Sequence, residues 1–166
     1  MAKLYINGVL RGEELPERAP LHEWIDSAVK ESPMCLFLQE KGKYFNEILR
    51  EPPEGVALPD RIQPYQCHYN NMIYSIVLSE RQPEVLKDFR FASGFFGMKA
   101  TTPVIPEDQS YFIGHHSFMT YKGAVLDYTM LQCPPLVYEP DQYFGVEFKV
   151  EEVVKIFDIL TEDGHN

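Results

Sequence analysis

Residues 89 to 150 carry most of the strand-like patterns of this chain, and they constrain the fold more than any other feature. Apolar and aromatic residues recur there in short runs separated by turn residues, which is typical of β-strands. The predicted strands span 89–98, 111–121, 124–128 and 143–150, with a tight turn at Lys122-Gly123. Because helical patterns precede this region and do not alternate with it, the sequence predicts an α+β fold with an antiparallel sheet.

The first part of the chain carries helical patterns and one long irregular connection. Helices are predicted over 21–31, 44–49 and 67–80, a strand over 34–38, and a hairpin over 3–10 that turns at Asn7-Gly8. The helix over 67–80 has an apolar stripe, formed by Tyr69, Met72, Ile73, Ile76 and Val77. Four prolines between 51 and 64 indicate an irregular connection rather than a helix or strand.

The length of 166 residues suits one compact domain, which we expect to span 1–166. Hydrophobic residues make up 45% of the chain and aromatic residues 13%, which is enough apolar surface for a core. Within the domain we expect an N-terminal part over 1–50 that is specific to this protein's family, a core over 63–148 and a C-terminal helix over 151–163.

The charge balance disfavours two classes of partner. Fifteen basic residues stand against 25 acidic ones, a net charge of −10, and an acidic surface repels both nucleic-acid phosphates and anionic membranes. The longest apolar run, 72–78, is too short to cross a bilayer. We therefore expect a soluble cytoplasmic protein of bacterial or viral type, with no nucleic-acid or membrane partner. The sequence has no glycine-rich phosphate loop, so no nucleotide cofactor is expected, and it does not indicate an oligomeric state.

Cys67 is the candidate nucleophile among the three cysteines, Cys35, Cys67 and Cys133. Their odd number and wide spacing do not suggest a disulfide framework, and no Cys-x-x-Cys pair suggests a zinc site. Because Pro64 disfavours helix just before it, Cys67 is predicted in the first turn of its helix. Unpaired N–H groups and the positive end of the helix dipole favour the reactive thiolate there. The alternative is an inert, apolar cysteine.

His116 and Asp127 are candidates for a general base and for the group that orients it. They are 127 − 116 = 11 residues apart, and a hairpin that turns near Gly123 would place them roughly opposite each other on paired strands. A carboxylate there can fix the imidazole tautomer and stabilise the imidazolium. The alternatives are a structural His–Asp pair, or His115 as the base, since strand alternation lets only one of the two histidines face Cys67.

The order Cys, His, Asp along the chain resembles that of small papain-like and transglutaminase-like cysteine enzymes. The resemblance covers roughly residues 63–148 and rests on four segments: Cys67-His68-Tyr69-Asn70-Asn71, Ala92-Ser93-Gly94-Phe95, His116-Ser117-Phe118 with Gly123 and Asp127-Tyr128-Thr129, and Tyr143-Phe144-Gly145-Val146. The third segment is similar to the pattern His-x-Trp, Gly, Asp-Pro-Thr. Phe118 stands in place of Trp, Tyr128 in place of Pro, and Ser93 in place of an acidic residue.

The resemblance implies a papain-like or transglutaminase-like core in which the nucleophile helix packs on an antiparallel sheet. It implies that Cys67, His116 and Asp127 are catalytic, and that Gln63 or Gln66 supports the oxyanion. The pocket candidates are His68, Asn70, Gly94, His115 and Phe118. The implied reaction is hydrolysis or acyl transfer at an amide, isopeptide or thioester bond of a peptide or small amide, through a thioester and without a cofactor.

Two other hypotheses remain open at this stage. In the first, the chain is a catalytically inactive binding or adaptor protein with the same fold. In the second, Cys67, His68, His115 and His116 hold a metal ion, although adjacent residues rarely place both side chains on one ion. We expect no metal.

Overall fold

The computed structural model describes residues 2–6, 9–15, 33–59, 61–63, 66–100, 110–132 and 138–163. These residues form an α+β structure, as predicted, and their sheet contains the expected antiparallel pairs together with one parallel pair. The chain divides into two compact units. The first comprises 1–46, 94–116 and 134–146, and the second comprises 47–93, 117–133 and 147–166.

Seven strands are described. They are β1 (Ala2–Ile6), β2 (Val9–Leu15), β3 (Lys43–Phe45), β4 (Phe89–Ala100), β5 (Ser110–Tyr121), β6 (Ala124–Leu126) and β7 (Tyr138–Lys149). They are hydrogen-bonded in the order β2-β1-β5-β4-β7-β3, and β6 pairs with β5. Pairing is antiparallel between β1 and β2, β3 and β7, and β5 and β6, and parallel between β1 and β5. The hairpin of β1 and β2, with Ile6 opposite Val9, is confirmed, whereas residues 7 and 8 lie outside the described residues.

The helices are α1 (Pro33–Lys41), α2 (Cys67–Arg81), α3 (Tyr128–Leu131) and α4 (Val150–Asp163), with a short 3₁₀ helix over Pro83–Asp88. The predicted helices over 67–80 and at the C-terminal end are confirmed as α2 and α4. The helix predicted over 21–31 lies outside the described residues. Among the helices that are described, none is both long and apolar enough to span a membrane.

Two short predictions in the first 50 residues are wrong. The strand predicted over 34–38 belongs to α1, which begins at Pro33, because proline suits the first position of a helix. The helix predicted over 44–49 is instead β3, followed by a bridge between Ile48 and Val125. Runs this short do not distinguish helix from strand by their periodicity.

The first unit contains a close approach of β4 to β7 at Gly94. A Cβ atom on Gly94 would lie 2.1 Å from the Phe144 carbonyl oxygen and 2.5 Å from the Gly145 Cα atom. A Cβ atom does not approach other heavy atoms this closely unless it is covalently bonded to them. Only glycine therefore fits at this position. Gly94 was predicted as a pocket residue, and the structure gives it a packing role.

The core of the second unit forms between α2, the 3₁₀ helix, α4 and parts of the sheet. Its buried members are Tyr74, Leu78, Leu86, Phe89, Phe91, Met119, Leu126, Tyr128, Val150 and Val153. The buried residues of α2 are Asn70, Asn71, Tyr74, Ser75 and Leu78. The predicted apolar stripe is at most partly buried: Met72 packs against the core, whereas Tyr69 is exposed. Polar side chains can be buried where hydrogen bonds satisfy them. The side chains of Asn70, Asn71 and Ser75 all make such bonds.

In the connection from β5 to α3, the predicted strand over 124–128 ends before Asp127. Lys122 and Gly123 both have positive φ angles, 49° and 86°, which confirms the tight turn. The β5–β6 pairing then ends at Met119 opposite Leu126, and Asp127 is the N-cap of α3. Asp127 therefore lies beyond the paired strand on which it was predicted, because a carboxylate at this position can cap the helix.

Candidate functional site

Cys67 is the first residue of α2, and it is partly exposed. Its predecessor Gln66 is the N-cap residue, and the described structure shows no capping hydrogen bond from the Gln66 side chain. The main-chain N–H groups of the first helical turn carry a partial positive charge. The position of Cys67 predicted from the sequence, in the first turn of its helix, is thus confirmed.

Asn71 joins the start of α2 to β5. Its side-chain amide donates one hydrogen bond to the Cys67 carbonyl oxygen and one to the Ser117 carbonyl oxygen, each 2.8 Å long. Both amide hydrogens are used, and Asn71 is buried. The Asn71 side chain therefore links the first turn of α2 to the main chain of β5.

Asn70 holds the segment that precedes α2. Its side chain accepts a hydrogen bond from the Gln63 N–H at 3.0 Å and donates one to the Gln63 carbonyl oxygen at 2.8 Å. It also donates to the Thr129 hydroxyl at 3.1 Å. Asn70 was predicted as a pocket residue. The structure shows it buried and fixing the main chain of Gln63, whose own side chain is exposed.

His68 is the second residue of α2 and is exposed. Its Nδ1 atom shares a hydrogen bond with the hydroxyl of Ser117, which is fully buried in β5. We refer to Gln63, Cys67, His68, Asn70, Asn71, Ser117 and Thr129 as the α2 N-terminal cluster. All of these residues belong to the second unit, and the hydrogen bonds given above connect their side chains and main-chain groups.

Asp127 is almost completely buried, at 3% exposure. Its Oδ1 atom accepts a hydrogen bond of 3.2 Å from the N–H of Met130, in the first turn of α3. A carboxylate at an N-cap typically stabilises its helix by about 1 kcal/mol. Asp127 thus has a structural role in the second unit, and its predicted catalytic role stays a prediction.

His116 and His115 are consecutive residues of β5 in the first unit. His116 is 4% exposed, with its ring centroid 4.7 Å from that of Phe96 and 6.4 Å from that of Tyr143. His115 contacts Phe95 instead, at 5.6 Å between ring centroids. Partial burial lowers the pKa of His115 below its usual 6.5, and repulsion from His116 lowers it further. The choice between them as the base stays a prediction.

A pair of buried tyrosines supports the connection that leads to the α2 N-terminal cluster. The Tyr74 hydroxyl donates to the Ala57 carbonyl oxygen at 2.7 Å and lies 2.9 Å from the Tyr128 hydroxyl. Since Tyr74 has one hydroxyl hydrogen, Tyr128 is the donor of the second bond. Burial raises the pKa of both hydroxyls. The Gln82 side chain adds bonds to the Ala57 N–H and the Gly55 carbonyl oxygen, at 2.7 and 2.9 Å.

Sequence reasoning missed the two hydroxyl side chains of the cluster. Ser117 and Thr129 were quoted only as parts of motifs, yet their side chains bind His68 and Asn70. The sequence did carry a signal for them. Ser117 and Thr129 are polar residues in otherwise apolar segments, and a buried hydroxyl needs a hydrogen-bond partner. Phe118, predicted to line a pocket, is fully buried.

The cluster offers a partly exposed thiol at a helix start and an exposed imidazole held by a buried hydroxyl. These groups suit nucleophilic attack on a carbonyl carbon. Within the described residues, no three His, Cys, Asp or Glu side chains are grouped so that they could hold a metal ion. No protein-family model, no curated protein and no solved structure matches this chain.

Proposed function

We propose that this protein is a cysteine-dependent hydrolase or acyl-transferase with Cys67 as nucleophile. The observation that carries the proposal is that Cys67 is the first residue of the 15-residue helix α2 and is partly exposed. Helix N-terminal N–H groups stabilise a thiolate and can donate to the oxyanion that forms on a neighbouring carbonyl. The proposed core is papain-like or transglutaminase-like, with His116 as base and Asp127 as orienter, as the resemblance implies.

In the proposed reaction, the Cys67 sulfur attacks the carbonyl carbon of an amide, isopeptide or thioester. The carbon–nitrogen or carbon–sulfur bond breaks, and the leaving group takes the proton that His116 received from the thiol. Water then attacks the thioester on Cys67 and releases a carboxylate, whereas an amine would give transamidation. No cofactor takes part in these steps.

The experiment is to incubate the protein with activated thioesters and peptide amides, and to measure the intact mass. We expect a mass increase equal to the acyl group, located on Cys67 by peptide mapping and absent from Cys67→Ala. Ser79→Ala is the matched control, because Ser79 lies on the same helix and, among the described residues, its hydroxyl bonds only to the nearby Ile76 carbonyl oxygen. Acylation that persists in Cys67→Ala would contradict the proposal.

The second candidate is a binding or adaptor protein without activity. It is favoured by Asp127, whose carboxylate is already used to cap α3. This function requires that Cys67 behave as an ordinary thiol and that Cys67→Ala leave partner binding unchanged. A mass adduct on Cys67 from a substrate at neutral pH would rule it out.

A further inference from the structure

Strands β4 and β5 are neighbours in the sheet, and two contacts fix which of their residues lie opposite each other. At one end, the Lys122 N–H donates a hydrogen bond to the Asp88 carbonyl oxygen at 2.7 Å. Further along, the rings of Phe95 and His115 are in contact, and these residues are 95 − 88 = 7 and 122 − 115 = 7 positions away from that bond. The two strands therefore pair in antiparallel fashion, without a bulge between the two contacts.

This register places Ser93 directly opposite Ser117. Ser93 is 93 − 88 = 5 residues after Asp88, and Ser117 is 122 − 117 = 5 residues before Lys122. Directly opposite side chains point to the same face of a sheet, with Cβ atoms about 4.5–5.5 Å apart. Ser93 and Ser117 are thus neighbouring hydroxyl residues within the second unit.

The face of the sheet that carries this pair is the one on which α2 packs. The Ser117 hydroxyl shares a hydrogen bond with His68, in the first turn of α2. Two residues further along β5, the Met119 sulfur accepts a hydrogen bond of 3.9 Å from Ser75 of α2. Ser117 is fully buried, whereas Ser93 is partly exposed. Ser93 therefore lies where this face of the sheet emerges from beneath the start of α2.

The Ser93 hydroxyl is available to a substrate. It has no hydrogen-bond partner among the described residues, although a hydroxyl can donate one hydrogen bond and accept two. The proposed nucleophile, Cys67, begins the same helix whose first turn contacts Ser117. An extended peptide advances about 3.3 Å per residue, so a peptide bound at Cys67 can reach Ser93 with a main-chain group a few residues from the attacked carbonyl.

We propose that Ser93 binds the main chain of the substrate beside the bond that Cys67 attacks, so that the substrate is a peptide rather than a small amide. This inference rests on the proposed function and names the substrate class of the same site. Every peptide unit has an N–H and a carbonyl group, and the hydroxyl can pair with either. Ser93 contributes to binding alone and takes no part in the breaking of the bond.

The experiment compares two thioesters of the same thiol: an acetyl thioester, which is too short to reach Ser93, and an N-acetyl-tripeptide thioester. The rate of Cys67 acylation is measured by intact mass over a range of thioester concentrations. We expect the wild type to prefer the peptide thioester. Ser93→Ala should reduce this preference about two- to tenfold, the effect of one lost hydrogen bond, through a higher half-saturating concentration of the peptide thioester. Ser93→Thr keeps a hydroxyl and should restore the preference.

Ser79→Ala is the matched control, because it removes a hydroxyl that bonds to the nearby Ile76 carbonyl oxygen, and it should keep the wild-type preference. An unchanged preference in Ser93→Ala would overturn the inference even where wild-type Cys67 is acylated. An equal loss of rate with both thioesters would also overturn it, because a binding contact to the peptide cannot affect the acetyl thioester. A wild-type Cys67 that neither thioester acylates would contradict the proposed function itself.

Discussion

The side chain of Asn70 binds both main-chain groups of Gln63, accepting from its N–H at 3.0 Å and donating to its carbonyl oxygen at 2.8 Å. The two residues are seven positions apart, on either side of the start of α2. This pair of bonds fixes the last described residues of the proline-rich connection before the helix that carries Cys67. The geometry of the candidate site thus depends on a buried amide that makes no contact with a substrate in the proposed mechanism.

Asn70→Ala should destabilise the protein by about 3 kcal/mol, because the Gln63 N–H and the Thr129 hydroxyl lose their Asn70 partner at about 1–3 kcal/mol each. Urea unfolding measures this change. Gln63→Ala is the control: it keeps the main-chain bonds, so its free energy of unfolding should fall by no more than about 0.5 kcal/mol. Equal destabilisation by both variants would contradict the prediction, because it would mean that the side chain of Gln63 contributes as much to stability as the Asn70 bonds to its main chain.

Tyr74→Phe should be more destabilising than Tyr128→Phe. The first change leaves the Ala57 carbonyl and the Tyr128 hydroxyl unpaired, for a cost of about 2–3 kcal/mol, whereas the second removes only the donor to Tyr74 and costs about 1 kcal/mol. The donor assignment derives from the bond of 2.7 Å between Tyr74 and Ala57. Thermal unfolding of the two variants gives the comparison, and the reverse order would contradict the assignment.

Gly94→Ala should lower the free energy of unfolding by about 2 kcal/mol or more, since the added Cβ meets main-chain atoms that must shift. The nearest is the Phe144 carbonyl oxygen, at 2.1 Å from the ideal Cβ position. Ser93→Ala, at the preceding position of β4, is the matched control and should have little effect. A Gly94→Ala protein with wild-type stability would show that β4 and β7 do not approach as closely as described.

His115 should make the folded protein less stable as the pH falls. Its pKa is lowered in the folded state, so the unfolded chain binds more protons between that lowered value and 6.5. His115 therefore costs no stability above pH 6.5. The free energy of unfolding decreases as the pH falls from 6.5 to the lowered pKa of the folded state. His115→Asn should show a smaller loss of stability between about pH 7.5 and about pH 5 in urea unfolding. A loss equal to that of the wild type would contradict the lowered pKa.

The long elements were predictable from the sequence because their patterns persist over several turns or pleats. The helix α2 was predicted to within a residue, yet its apolar stripe is not its most buried face. Apolar content pointed to Ile73 and Ile76, whereas Asn70 and Asn71 are buried. A polar residue is buried only when partners far along the chain satisfy it, and those partners cannot be read from the local pattern.

Features of the site that depend on neighbouring residues in the sequence, such as the start of a helix, were predictable. Cys67 at a helix start followed from Pro64 and the helical pattern after it, and the structure agrees. An N-cap at Asp127 was available from the same kind of rule, because aspartate is favoured there, but the strand pattern before it was extended too far. The bond between His68 and Ser117 joins positions 49 residues apart, so no local rule could predict it.

The ionisation of Cys67 is the most direct test of the account. Iodoacetamide should be applied at about pH 6, where an ordinary thiol is almost wholly protonated, to the folded protein and to the urea-unfolded chain. Peptide mapping then gives the alkylation rate of Cys67 alone. The account predicts faster alkylation of Cys67 in the folded protein, although it is only partly exposed there. Alkylation that is equally fast or slower than in the unfolded chain would contradict it.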